Sequence, residues 1–267
     1  MSNMSIFKRV IKVIFSSDPF VFATICLLRV LRLPQYISYK KSKICVYTSC
    51  FGSYDALASI PKQSLATVTA VFTDEMPDAV YDRVYIVEPL FSNARYDAKY
   101  FKINALSLRE LEDIDILIWV DASSRVKSRY FVEFLLLCSS GGIRMRRHPD
   151  RNSIVSEAEV SSAMLKYKGN NLVAQANYYL DQGLYDSHLW HCALIVRERG
   201  VLIEQFDKLW WKEMSVSLQD QISAPFVEFK SGCAITPIPR IFNIFSFICF
   251  DLSHRNWEYE SRPNSGE

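Results

Sequence analysis

The sequence predicts an α/β fold: one domain with a mostly parallel central sheet and helices on its faces. Two observations carry this. Short apolar and β-branched runs recur along the chain, each ending in small or acidic residues. Segments with helical periodicity separate them, and strands alternating with helices are joined as parallel neighbours covered on both faces. The size agrees, since 267 residues can bury a sizeable core. A hydrophobic share of 49% against 22% charged excludes a disordered chain.

Taken in order, Ile44 to Thr48 is the first predicted strand, followed by the small-residue loop Ser49 to Asp55. Thr67 to Phe72 is the second, stopped at Thr73-Asp74, and Val84 to Val87 the third, ended by Glu88-Pro89. Asn93 to Leu111 has helical character, with Tyr96, Tyr100, Ile103 and Leu106 on one face. Ile114 to Val120 is a strongly apolar strand ending in Asp121. Ser128 to Cys138 reads as a helix, Gly141-Gly142 as a break, and Ile143 to Arg147 as a strand before His148-Pro149. Ser156 to Lys168 is helical, with Ser153 as candidate N-cap and Glu157 near the positive helix end. Cys192 to Val196 reads as a strand. A helix is expected from Leu202 to Met214, and another from Val216 to Phe229, bent or broken at Pro225. The catalytic unit is expected over residues 44–240.

The ends differ from this middle. Residues 1–43 hold eight lysines and arginines against one acid, Asp18, so the remainder carries a net charge of −5 within a total of +2. Ile6 to Phe15 has the pattern of a basic amphipathic helix, suited either to an anionic cytoplasmic leaflet or to packing on the domain. The apolar run Phe20 to Leu28 is shorter than the roughly 20 residues of a membrane span. At the other end, 241–267 comprise the apolar stretch Ile241 to Phe250 and an acidic tail. The seven cysteines are odd in number and widely spaced, without C-x-x-C, which suits buried thiols in a cytosolic protein better than disulfides or paired zinc ligands. The near-neutral charge gives no support to nucleic-acid binding.

Candidate chemistry lies at strand ends, because open α/β sheets bind ligands beyond the carboxyl ends of their strands. Thr48-Ser49, Thr73-Asp74, Asp121 and the Arg197 region are such ends. Asp121 leaves a buried strand for a loop, where it could hold a divalent cation or cap a turn. Arg95, Lys99 and Lys102 share one helix face and could bind phosphates, or face water. His148-Pro149-Asp150-Arg151 joins an imidazole and a guanidinium at a rigid turn. His188 and His191 lie three apart, without the Glu of a zinc-protease pattern. Trp210 continues an apolar stripe; Trp211 lies off it and could present a flat face to a sugar. Asp220, between two amides, is a candidate general base or a helix cap.

These segments, in this order, resemble the family once called domain of unknown function 616, glycosyltransferase-like proteins that include bacterial surface-polysaccharide and plant pectin or mucilage proteins. The matching stretches run from Val46-Tyr47-Thr48 and Phe51-Gly52-Ser53-Tyr54-Asp55 through Phe72-Thr73-Asp74, Arg95 to Lys102 and Ile118-Trp119-Val120-Asp121. They continue through His148-Pro149 with Arg151, Glu157, Gly183-Leu184 and Trp210-Trp211 to Glu213, Ser217, Asp220 and Gln221. Ala122 stands where the family usually has Gly, and Gln219 where it has Arg.

The resemblance implies a GT-A-like nucleotide-binding domain. It makes Thr48, Asp74, Arg95, Lys99 and Asp121 candidate donor contacts, with Asp121 also the ligand of a Mn²⁺ or Mg²⁺ ion. Asp220 and Asp121 become the candidate catalytic residues, and His148, Arg151 and Trp211 candidate acceptor or sugar contacts. The expected activity is hexosyl transfer from a nucleotide-sugar to a growing surface polysaccharide or lipid-linked glycan. The expected location is the cytoplasm, with contact on the inner face of the plasma membrane. The alternatives are a ceramidase-like amide hydrolase, using His148, His188 and His191, and a non-catalytic subunit of a polysaccharide assembly complex.

Overall fold

The computed structural model describes residues 18–244 and 247–250. Two helices lead in, α1 (Asp18–Leu31) and α2 (Leu33–Lys41), with Pro34 in the first turn of α2 where its missing N–H costs nothing. The expected amphipathic helix Ile6 to Phe15 and the acidic tail lie outside the described residues. The strands of the main sheet are β1 (Ile44–Cys50), β2 (Val68–Thr73), β3 (Arg83–Ile86), β4 (Ile116–Val120), β6 (Ile143–Arg147), β7 (Trp190–Glu198) and β8 (Ile235–Pro237). Their order is β3-β2-β1-β4-β7-β6-β8. β3, β2, β1 and β4 are mutually parallel, and β7 runs antiparallel to both its neighbours. This mostly parallel sheet flanked by helices is the predicted α/β architecture. β5 (Ser124–Val126) and β9 (Ile248–Phe250) form a separate two-stranded pair.

The remaining helices are α3 (Ala94–Ile103), α4 (Phe131–Cys138), α5 (Ile154–Ser162), α6 (Leu172–Asp181), α7 (Val201–Met214), α8 (Asp220–Ser231) and α9 (Ile241–Ile244). The long helix expected to Leu111 stops at Ile103 and gives way to 3₁₀ turns, and Ser162 likewise ends α5. α8 begins later than expected, at Asp220, and runs through Pro225. α6 and the short strands β5, β8 and β9 were not anticipated. His188 and His191 do not share a helix: His191 lies in β7 and His188 precedes it.

The sheet separates two apolar layers by the period-two alternation of its strands. Cys45, Tyr47, Ala70, Phe72, Leu117 and Trp119 point into the layer holding α3 and α5–α8. Ile44, Val46, Ile116, Ile118 and Val120 point into the layer holding α1 and α4. The same parity then aims the next residues: Ser49 and Asp121 continue the first set, Thr48 the second. A ring stack of Phe51, Phe101, Phe72 and Tyr85, with centroids 4.7–5.3 Å apart, fixes α3 against the first three strands. That contact sets where the lysines of α3 emerge. Ser153 caps α5 as expected, accepting from the Ser156 amide at 3.2 Å. All seven cysteines are free thiols.

Candidate active site

At the carboxyl edge of the parallel strands lies a cleft of about 160 Å³, open to solvent on one side. Its floor comes from Ser49 of β1, from Trp119 of β4 and from Asp121 just beyond that strand. One wall is α3, presenting Arg95, Lys99 and Lys102; the other includes Lys166 and Tyr167 from the turn after α5. Asn93 starts α3 by accepting from the Arg95 amide at 3.0 Å, and α3's spacing places its three cations on one face.

Beneath the cleft the two lysines meet two carboxylates. Lys102 Nζ donates to Asp121 Oδ1 at 3.0 Å and contacts Asp220 Oδ2 at 2.7 Å, while Lys99 Nζ donates to the same Asp220 oxygen at 2.5 Å. Trp119 Nε1 also donates to Asp121 Oδ1, at 2.5 Å. Lys102 and Asp220 are almost wholly buried, whereas the Asp121 side chain is 32% exposed to the cleft. Burial alone would raise both acids, but Lys102 and Lys99 outweigh it and hold Asp121 and Asp220 below the ordinary aspartate range. Burial pulls the Lys99 ammonium down, against Asp220. Burial also depresses Lys102, yet Asp121 and Asp220 together carry it above the usual lysine value. Lys166 is lowered to about 8, by burial first and then by Arg95 and Lys99. Lys166 thus faces the like charges of Arg95 and Lys99, whereas Lys102 is balanced by its two acids.

The sequence candidates divide between this cleft and its surroundings. Arg95, Lys99 and Asp121 line it. Thr48 does not: strand parity turns it to the α1 and α4 face, where its hydroxyl is buried with no hydrogen-bond partner among the described residues, and Ser49 takes the place in the cleft. Asp74 ends β2 on the same rim as Asp121, with β1 between them. Its carboxylate accepts from the Gly52 amide at 2.8 and 3.1 Å, holding a turn in which Gly52 and Ser53 both have positive φ. A Cβ at Gly52 would come within 3.2 Å of Ala94 Cβ, so this turn and α3 approach closely. A second pocket, lined by Ser53, Thr73, Glu75 and Asp78, joins the cleft through shared Cys50 and Asp55.

Asp220 opens α8 but lies within the ion cluster, 3% exposed and stripped of proton affinity by two lysines. Those properties do not suit a general base and make it a counter-ion that spaces Lys99 and Lys102. His148 and Arg151 stand apart from the cleft lining: His148 Nδ1 accepts from the Arg151 amide at 3.0 Å, and Arg151 Nε donates to buried Glu157. Trp211 packs edge-on against Tyr96 and Tyr100, each at 5.2 Å, outside the cleft. Trp210 is core, its Nε1 donating to Ser223 Oγ at 3.0 Å. Ser49, of the Thr48-Ser49 strand end, lines the cleft, as do Lys166, Tyr167, Tyr54 and Asp55, to which the sequence assigns no contact. Strand parity selects Ser49 over Thr48; no local pattern marks Lys166, which a 3₁₀ turn brings across from a distant part of the chain.

The divalent cation that the resemblance implies finds a poor donor set. One oxygen of Asp121 already accepts from Lys102 and Trp119, and Asp220 is held between two ammonium groups. Among the described residues no three His, Cys, Asp or Glu side chains gather as metal ligands. These residues do not fit a resident divalent ion. Among the described residues the histidines form no metal set either: the His148 and His191 rings meet edge-on at 5.9 Å, and His188 bonds to Glu228 at 3.0 Å.

Four parallel strands with a cleft lined by cationic side chains at their carboxyl edge, continued by antiparallel β7, are consistent with an α/β domain of the GT-A-like class. The sequence itself gives the family: the chain belongs to the TOD1/MUCI70 glycosyltransferase-like domain family, whose model matches residues 31–248. This is the family suggested by the ordered motifs. No curated protein matches the chain.

Proposed function

We propose that the chain transfers a sugar from a nucleotide-diphosphate donor to a hydroxyl of a growing polysaccharide or lipid-linked glycan. The observation that carries this reading is the convergence of Arg95, Lys99, Lys102 and Lys166 on one cleft beside Asp121. The acceptor hydroxyl oxygen bonds to the anomeric carbon as the bond to the diphosphate breaks, that bond's electron pair going to the leaving oxygen and the hydroxyl proton passing to the departing diphosphate or to water. Charge then grows on the diphosphate, and preformed ammonium and guanidinium groups stabilise it without reorganising. Asp121 holds Lys102 in place and presents its partly exposed carboxylate to donor hydroxyls. The adjoining pocket bearing Asp55, Glu75 and Asp78 gives room and hydrogen-bond acceptors for the nucleoside.

The other readings draw less support. Amide hydrolysis would need the three histidines to act together, and His188 is engaged by Glu228 instead. A bystander role rests on Ser123, where a second acid is lacking, and on Gln219; the Gln219 amide is built into the wall behind Tyr167, donating to Glu157 and Ser161 at 2.8 and 2.7 Å. The test is a thermal-shift screen of the purified chain with nucleoside diphosphates and nucleotide-sugars. A ligand at a hundredfold its Kd adds about 2.7 kcal/mol, a shift of several degrees. Stabilisation by none of them would sink the reading. For the nucleotide-sugar that binds, Asp121→Asn should lower turnover by about a hundredfold or more with an unchanged far-ultraviolet spectrum. Transfer at the wild-type rate would remove Asp121 from the machinery.

A further inference from the structure

We propose that the outward face of α1 and α2 rests on the surface of an anionic lipid bilayer, with the α/β domain above it. The inference is independent of the chemistry in the cleft. At about 100° per residue, Phe22, Cys26, Val30, Ala23, Leu27 and Leu31 occupy roughly half of the α1 circumference with no polar side chain among them. Phe22 is 48% exposed, Leu27 58%, Val30 74% and Leu31 66%. α2 continues the surface with Leu33 and Ile37, also half exposed. Isolated exposed leucines need no explanation, but a contiguous apolar face does.

Its surroundings identify the occupant. Lys40 and Lys41 follow Ile37 by one turn of α2, and Arg32 sits at the joint between the helices, all three exposed. Long basic side chains beside an apolar face are the pattern that meets acidic headgroups while the apolar residues enter the acyl boundary. Residues 1–43 carry a net charge of +7 and the remainder −5. An anionic surface therefore attracts this end and repels the rest, which orients the molecule. The opposite side of α1 is committed to the domain. Val21 and Ile25 are buried, and Arg29 makes a two-pronged pair with buried Glu133 at 2.6 and 2.9 Å. α1 would be about 21 Å long against a hydrocarbon core of about 30 Å, and the chain bends by 99° into α2. A helix packed on one side, short, and bent at its end lies on a bilayer instead of crossing it.

The experiment is co-sedimentation of the full chain with phosphatidylglycerol–phosphatidylcholine vesicles and with pure phosphatidylcholine vesicles. The expected result is binding to the anionic vesicles, weakened by added salt, and little binding to the neutral ones. Leu27→Ser/Val30→Ser/Leu31→Ser should weaken binding by about tenfold or more, and Arg32→Glu/Lys40→Glu/Lys41→Glu should abolish the preference for anionic lipid. All substituted residues are exposed, and circular dichroism with thermal melting verifies the fold. Failure to bind anionic vesicles would overturn the proposal, as would full binding by the triple serine variant. So would a dimer in solution that this variant splits, which would make a second copy of the chain the occupant.

Discussion

Lys102→Met tests the ion cluster most directly, because methionine keeps the volume and removes the charge. Lys102 is 1% exposed and donates to both Asp121 and Asp220. Breaking a buried ion pair from one side costs about 3–5 kcal/mol. Two features reduce that here: Asp220 keeps Lys99 at 2.5 Å, and water reaches the one-third-exposed Asp121. The expected loss is about 2–3 kcal/mol, or roughly 4–10 °C in melting temperature. In a double-variant cycle with Asp220→Asn, the combined loss should fall short of the sum of the single losses by about 1–2 kcal/mol, a non-additivity that only interacting groups give. The pH dependence has a definite sign. Asp220 is held below its ordinary value when folded, so its stabilisation is complete above about pH 4 and declines as acid titrates the folded carboxylate. Lys102→Met should flatten that acid limb. Urea unfolding from about pH 2 to 7 measures all three effects. Stability within about 0.5 kcal/mol of wild type, with additive double-variant behaviour, would refute the cluster as the organiser of the site.

The cleft makes two further predictions. Lys166, lowered to about 8, loses its charge between pH 7 and 9, so diphosphate affinity should fall across that range. If a bound phosphate raises Lys166 by one unit, the loss approaches tenfold, and Lys166→Met should flatten the profile in isothermal titration. Nucleoside diphosphate binding should also persist in EDTA, since the cations of the cleft and not a divalent ion meet the phosphates; binding that appears only with Mn²⁺ would overturn that assignment.

The positions of the cations on α3 were legible because 3.6-residue periodicity fixes which residues share a helix face. Asp121 was legible because an apolar strand must end in something polar where it meets solvent. Trp211 and Asp220 were open to misreading for the opposite reason. Their roles depend on what packs against them, namely Tyr96 and Tyr100 for one and two lysines for the other. The 3₁₀ turns after α3 and α5 were also unreadable, since the helical pattern continues past the points where tertiary packing ends each helix.

By itself the amino-acid sequence determined the α/β class, the apolar strands, the family and the charge difference between the ends. Each follows from local order: the alternation of apolar and polar residues, their spacing, and short motifs in series. Only the tertiary structure decided that Lys102 reaches two acids, that Lys166 crosses to face α3, that Thr48 turns away and that Asp220 is a counter-ion. Coulomb energy and desolvation depend on distance and burial, and the chain sets both only when residues far apart in order are folded together.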